Sequence, residues 1–429
     1  MITGIIAEFN PFHKGHEYII NEAKKRTHTD DIVIAMSGDF VQRGSMAIMD
    51  KYTRTLMALN SGASMVLEIP AAFTMLSAES YARAGVSLLR MMNVATLCFG
   101  AESDRTDLFY GIASVLMREP LEYKTALKEA MSAGDNYGAA VCKAFLKYYN
   151  ATPSFINELD APITEEELQD FITSPNNILG IEYTKAILTM GLPMDICPIK
   201  RVEANHNDLT LQASISSATA IRNALKQHIS LDAITNAIPE ALIPIYQDYE
   251  AKNPYIYDGD LDSFIAYELM GTNLDAFMNL PDVSDDLAKR LYNNRLAYKD
   301  YDSFAKGIAT KGFPYVRIRR AVNNLILRNN KDIISVLNYL YPPYIHVLGI
   351  RKNKESLLSY LNNSLRGKDV MLIFNLKEDT LQELDNTDKK AAALLRVNIR
   401  ARELYLLVAN SHLSGNELRD DYKTRFICI

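Results

Sequence analysis

Short unbroken apolar runs punctuate the first hundred residues: TGIIAEF from Thr3, DDIVIAM from Asp30, SMVLEIP from Ser64 and ATLCFGAES from Ala95. Runs of this length, rich in Ile and Val, predict buried strands. Between them the apolar spacing becomes helical. GHEYIINEAKK puts Tyr18, Ile19 and Ala23 on one side, MDKYTRTLMALNSG is closed by Gly62, and ESYARAGVSLLRMM follows the third run. Strands separated by helices of this size imply right-handed βαβ crossovers and a parallel sheet.

The pattern then turns helical from about 107 to 173 and returns to α/β with NNILGIEYTKAILTMG, the fifth strand MDICPIK and the Ser-capped helix SISSATAIRNALK. From Ile229 onward, helical patterns are broken by Pro239, Pro244, Pro254 and Pro281. Two further strand-like runs, YIHVLGI and DVMLIFNL, close the chain. The expected architecture is a Rossmann-like parallel α/β domain over 1–228 with a helical insertion at about 107–173. A mainly helical region over 229–342 and a small C-terminal α/β unit over 343–429 complete it.

Composition changes this picture little. A chain of 429 residues has room for two or three domains. A formal charge of −6 argues against wholesale nucleic-acid binding and leaves RNA contact to local basic patches. Cys98, Cys142, Cys197 and Cys428 are scattered, as expected of reduced thiols in a cytosolic protein and not of a disulfide frame or zinc site. The N-terminus leads straight into a strand with no leader pattern. No apolar run approaches the roughly 20 residues that span a bilayer, so a cytoplasmic protein with no membrane partner is expected.

Chemistry gathers where strands end. His13 and His16 follow the first strand, Gln42 and Arg43 the second, and Gly100, Ala101 and Glu102 the fourth. In open α/β sheets this carboxyl edge is where ligands bind. The stretch IIAEFNPFHKGHEYII places two of only seven histidines three residues apart at a helix mouth. Three helical residues advance about 4.5 Å and return side chains to neighbouring faces. Two imidazoles, free N–H groups and the helix dipole suit an anion, and Gly15 allows close approach. Aimed at an α-phosphate, they would stabilise the charge that builds as pyrophosphate is displaced. Zinc is the rival ligand, but it wants a third residue and the other histidines are remote. Downstream, Ser216, Ser217 and Thr219 open a helix with Arg222 a turn further on, a setting for β- and γ-phosphates.

Strand, H-x-G-H, helix and a late S-S-x-T-x-I-R resemble the nucleotidyltransferase superfamily related to class I aminoacyl-tRNA synthetases. EFNPFHKGH, MSGDFVQRG, LEIP, FGAES, SPNNILGIEY, Lys200-Arg201 and SATAIR together resemble the bacterial tRNA(Met) cytidine acetate ligase family. The resemblance implies an ATP-dependent enzyme that adenylates acetate and passes the acetyl group to N4 of the wobble cytidine of elongator tRNA(Met), giving N4-acetylcytidine. It also implies a set of residues around ATP: Ala7, Glu8, Phe9, Asn10, Pro11, Phe12, His13, Lys14, Gly15, His16, Glu17, Tyr18, Ile19 and Ile20, then Gly100, Asn176, Asn177, Arg201, Val202, Ser217 and Thr219. His13, His16 and Arg222 inherit the catalytic role, and Gln42 or Arg43 could hold acetate. Magnesium is expected to accompany ATP, with no ligand nameable.

Between Phe304 and Lys331 seven cations occur without one acid, among them Arg317, Arg319, Arg320 and Arg328, with Phe313 and Tyr315 as stacking faces. RNA is expected there; a merely solvated cationic helix is the bland alternative. A second, weaker cluster comprises Arg351, Lys352, Lys354, Arg396, Arg400 and Arg402. Two other functions fit parts of the pattern: a small-molecule adenylyltransferase or amide ligase of cofactor biosynthesis, and a non-catalytic nucleotide- or RNA-binding protein.

Overall fold

A computed structural model describes residues 1–157, 159–201, 217–412 and 419–429. Its centre is an eight-stranded sheet. Strands β1 (Thr3–Ala7), β2 (Ile32–Ser37), β5 (Met65–Ile69), β6 (Thr96–Ala101) and β7 (Asp195–Lys200) run parallel in the order β5-β2-β1-β6-β7. These are the five strands read from the sequence. Every residue of β2 and of β5 is buried, which explains why their runs are continuously apolar and not alternating. Val33 and Ala35 pack on one face with Ile6, Leu67 and Leu97, while Ile34 and Met36 pack on the other with Ile5, Val66 and Cys98. Helices cover both faces.

The C-terminal strands do not build a sheet of their own. β8 (Tyr344–Ile350) pairs antiparallel with β5, and its outer edge is shared by β9 (Met371–Ile373) and the last strand, β10 (Ile427–Cys428). The small α/β unit expected at the C-terminus is therefore stitched onto the N-terminal sheet. Local pattern predicts a strand but is silent about its neighbour, and β8 covers the edge that β5 would otherwise leave open. The insertion is helical as expected, from Thr106–Arg118 to Glu165–Thr173. Among the described residues, no helix is long and apolar enough to cross a membrane.

One loop expected after β2 is instead a hairpin. β3 (Phe40–Val41) and β4 (Ser45–Met46) pair antiparallel around Gln42, Arg43 and Gly44. Gly44 has φ +73°, and a Cβ there would lie 2.8 Å from Arg319 Cβ and 2.9 Å from Arg320 N. Glycine is required on both counts. The turn consequently presses directly on the helix Tyr315–Ile326.

Candidate active site

The sheet reverses its strand order between β1 and β6, and the chain leaving β1 carries the histidines across this crevice. His13 is the N-cap of the helix Lys14–Thr27. Its Nδ1 accepts from Gly15 N at 3.0 Å, and His16 Nδ1 accepts from His13 N at 3.3 Å. Two imidazoles thus fill the reciprocal places that Ser and Glu take in a capping box. The rings stack with centroids 3.8 Å apart. Phe9 and Phe12 hold His16 from the side, at 4.9 and 5.5 Å. Gly15 is explained by this stack: a Cβ would fall 2.7 Å from His13 Cε1. Its missing side chain accommodates the imidazole, whereas the sequence suggested room for a ligand.

This bonding fixes the tautomers. A neutral ring whose Nδ1 accepts must carry its proton on Nε2. Each histidine therefore has one Nε2–H donor with no protein acceptor among the described residues. Burial, Arg201 and Arg222 push His13 down to about 4, and burial, His13 and Arg201 hold His16 well below its ordinary value. Both rings are neutral at pH 7. Because the unfolded chain binds these protons near 6.5, stability is expected to fall as pH drops from about 6.5 towards 4. Thermal melts of the ligand-free protein across that window should show the loss, and His13→Asn, which keeps a capping side chain, should flatten it.

Arg222 is half-buried, and its Nη1 donates to Asn10 O at 2.6 Å while Nη2 donates to Thr219 Oγ1 at 2.9 Å. Ser217 caps its helix, Ala218–Lys226, accepting from Ala220 N at 3.2 Å. Arg201, exposed at the end of β7, continues the ladder through a 2.9 Å bond to Ala101 O. The charges of both arginines reach His13, and that of Arg201 also reaches His16. Gly100 lies below, where a Cβ would be 3.2 Å from Ile19 Cδ1 and 3.6 Å from Arg201 Cγ.

On the hairpin side, Glu8 Oε1 accepts from Gln42 N at 2.7 Å, and Arg43 stands exposed with its charge felt by Glu8 and Arg222. Asn10 Oδ1 accepts from Ile48 N at 2.9 Å, tying the histidine loop to the chain just beyond β4. Ala7, Glu17, Tyr18 and Ile19 are half-buried, and Lys14 is exposed. Phe9, Phe12 and Ile20 send their side chains into the core, and Pro11 is buried beside them. Any contribution of those three core side chains to a nucleotide passes through backbone. Val202 and Ser216 lie outside the described residues.

Asn176 and Asn177 are committed elsewhere. Asn176 Nδ2 donates to Glu102 Oε1 at 2.7 Å, Asn177 N donates to Glu102 Oε2 at 3.0 Å, and Asn177 Oδ1 accepts from Glu102 N at 3.0 Å. A carboxylate at a helix N-terminus is stabilised by the dipole, so Glu102 locks β6 to the helix Pro175–Thr189.

The basic stretch is also less free than its sequence suggests, because acids distant in sequence reach it. Arg319 pairs with Asp258 at 2.6 Å, donates to Gly44 O at 3.0 Å and lies over the rings of Tyr301 and Tyr315. Arg317 donates to Asp282 O at 2.8 Å. Arg320 is half-buried, and Arg328 is exposed beside Glu268 at 3.8 Å. Arg402, from the weaker basic cluster, is 2% exposed and faces the interior.

Two features escaped the sequence reading. Arg54 is fully buried and donates to four carbonyls: Met49 O at 2.9 Å, Glu8 O at 2.6 Å, Ser37 O at 3.0 Å and Gly38 O. It ties together the chain leaving β1 and the chain leaving β2. Beside it, Lys51 Nζ sits 3.0 Å from both Glu68 oxygens and 2.8 Å from Asp421 Oδ2. His346 Nδ1 (2.6 Å) and Asn398 Nδ2 (3.0 Å) complete Glu68, and Arg402 adds its charge to Asp39, Asp50 and Asp421. Burial alone would raise Glu68, but Lys51 and His346 overcome it and hold the carboxyl far below the usual range. Lys51, Arg54, Thr55 and Ala58 share the buried stripe of one helix, so two cations on that stripe were the available signal.

Fold and site together define a nucleotidyltransferase of the H-x-G-H type. A family model described as HIGH Nucleotidyl Transferase matches residues 1–421. A tRNA(Met) cytidine acetate ligase of Clostridium novyi is 34% identical over 89% of this chain and 92% of its own length; one from Clostridium acetobutylicum is 32% identical over 94% and 98%. A crystal structure of Thermotoga maritima TmcAL bound with alpha-thio ATP superposes with a TM-score of 0.87 at 25% identity, covering 100% of this chain and 99% of that one. The chain therefore belongs to the tRNA(Met) cytidine acetate ligase family of the HIGH nucleotidyl transferases. It is an ATP-dependent ligase.

Proposed function

We propose that this ligase activates acetate as acetyl-adenylate and transfers the acetyl group to N4 of the wobble cytidine of elongator tRNA(Met), forming N4-acetylcytidine. The observation that carries this reading is the pair of neutral imidazoles, each with its Nδ1 spent on the helix mouth and its Nε2–H unclaimed, within reach of the charge of Arg201 and, for His13, of Arg222. Such an array stabilises charge on an α-phosphate as acetate displaces pyrophosphate, with no covalent intermediate on the protein. The acceptor and the acid come from the names of the relatives. Among the described residues, no group of three or more His, Cys, Asp or Glu could hold a metal. Magnesium would accompany the triphosphate as its complex.

Purified protein given ATP and acetate should release pyrophosphate and AMP, and labelled acetate should then appear in elongator tRNA(Met). Turnover only with another acid or a nucleotide would favour a cofactor-biosynthesis enzyme. ATP binding without turnover would favour a binding protein.

The surface around Arg317, Arg320 and Arg328 is the RNA-contacting site in this reading, within a mainly helical region over about 229–342. Reversing Arg328 to Glu is expected to spare acetate activation, weaken tRNA use and lower the salt dependence of binding by about one ion. Arg319→Glu is expected to impair both, because it breaks the contact with Gly44 O that seats the hairpin. Acetate-dependent pyrophosphate exchange and filter binding across a salt series separate the two outcomes.

A further inference from the structure

Passing an acyl group to an aromatic amine requires a proton to leave the nitrogen, and the histidines, the arginines, Asp39 and Glu102 have no means of accepting it. Both histidine Nδ1 lone pairs are engaged by backbone N–H groups, and both Nε2 atoms carry hydrogen. Arg43, Arg201 and Arg222 are cations. Asp39 has one oxygen on Lys51 N at 2.8 Å and the other on Arg402 at 3.4 Å. Glu102 has both oxygens on the helix Pro175–Thr189. Glu8 differs: Gln42 N occupies Oε1, and Oε2 has no protein partner among the described residues and is not sealed in the interior.

Resting on the function proposed above, we propose that Glu8 is the general base of the transfer step, held in place by Gln42 and Arg54. As the amine nitrogen forms its bond to the acetyl carbon, its proton passes to the Glu8 carboxylate. The acyl–phosphate C–O bond then breaks, and AMP departs with that electron pair. Glu8 afterwards gives the proton to water. Position supports this. Glu8 is the first residue beyond β1, and Arg54 Nη1 holds its carbonyl at 2.6 Å. The charge of Arg222 reaches both His13 and Glu8, so the phosphate donors and the carboxylate share one neighbourhood. Three cations approach Glu8, Arg43 from the hairpin, Arg222 from the helix Ala218–Lys226 and Arg54 from the helix Lys51–Asn60, while the Tyr81 and Tyr183 phenols feel its charge from the helices Ala78–Met91 and Pro175–Thr189. Burial raises the carboxyl above its ordinary 4.5 against the Gln42 N–H and those arginines, which makes it a better base.

The test is Glu8→Gln, which keeps the shape and removes the basicity. Acetate-dependent pyrophosphate exchange is measured beside single-turnover transfer of labelled acetyl from enzyme-bound adenylate to tRNA. Transfer is expected to fall at least about 100-fold more than exchange. The wild-type transfer rate should rise with pH to a plateau through an apparent value above 4.5, and the variant should lose that limb. Glu8→Asp should recover part of the rate, and a matching thermal melt shows that the fold is intact. Equal losses in both steps would make Glu8 a nucleotide-positioning residue and overturn the proposal, as would an unchanged transfer rate or an unchanged pH profile. If the wild-type enzyme makes no acetyl-adenylate, the functional reading fails first and the base assignment falls with it.

Discussion

Replacing His16 with alanine is expected to slow acetate-dependent ATP–pyrophosphate exchange by about 10²–10³-fold, the usual loss when one preorganised donor to a developing charge is removed. The fold should survive. His16 contributes half of a capping box, through its 3.3 Å bond from His13 N, and losing a cap costs about 1 kcal/mol. Rate and stability therefore separate. His13→Ala instead loses the shorter, 3.0 Å bond from Gly15 N to the N-cap side chain and is expected to melt lower than His16→Ala. A His16→Ala enzyme with undiminished exchange, measured with saturating ATP and acetate, would remove His16 from the mechanism.

Lys51→Met is expected to be the most destabilising single change near the site, costing about 3–5 kcal/mol, because it removes the cation that Glu68 and Asp421 share in the interior, leaving Glu68 to His346 and Asn398 and Asp421 to Tyr52 and the more distant Arg402. The effect should also carry the pH signature of its partner. Glu68 is held below its unfolded value by Lys51 and His346, so its contribution is present above the ordinary 4.5 and disappears as pH falls below it. Denaturant melts at pH 7 and pH 3 should show a large gap between wild type and variant at the first and a smaller one at the second. Because Asp421 belongs to the C-terminal segment, limited proteolysis should also cut the variant earlier near that end. Equal stability at pH 7 would mean that the cluster is not the strut joining β5, β8 and the C-terminus.

The chain displays most of its fold openly and hides part of its site. The parallel strands β1, β2, β5, β6 and β7 were legible because continuous apolar runs such as IVIAM and MVLEI have one explanation when helices follow them. The destination of YIHVLGI was not, since strand pairing over nearly 280 residues, Val347 beside Leu67, leaves no local trace. The histidine pair and Arg222 could be named because spacing and strand ends suggest where they fall, and Arg201 through the family resemblance. Arg54 and Lys51 could not be weighed without the fold: a cation on a helix reads as solvated until its carbonyls and carboxylates are brought to it from Glu8, Gly38, Glu68 and Asp421. The same blindness made the stretch around Arg319 look freer than it is, because Asp258 and Gly44 are distant in sequence.

The claim under all of this is that the imidazole pair directs an acid to the α-phosphorus of ATP. Acetate carrying oxygen-18 in its carboxylate reads that bond directly, by mass spectrometry of the nucleotide product after tRNA is added. The expected result is one heavy oxygen in the phosphate of AMP, left there when the acetyl group moves to tRNA. Heavy oxygen in inorganic phosphate, with ADP as the nucleotide product, would place the attack at the γ-phosphorus and contradict the account.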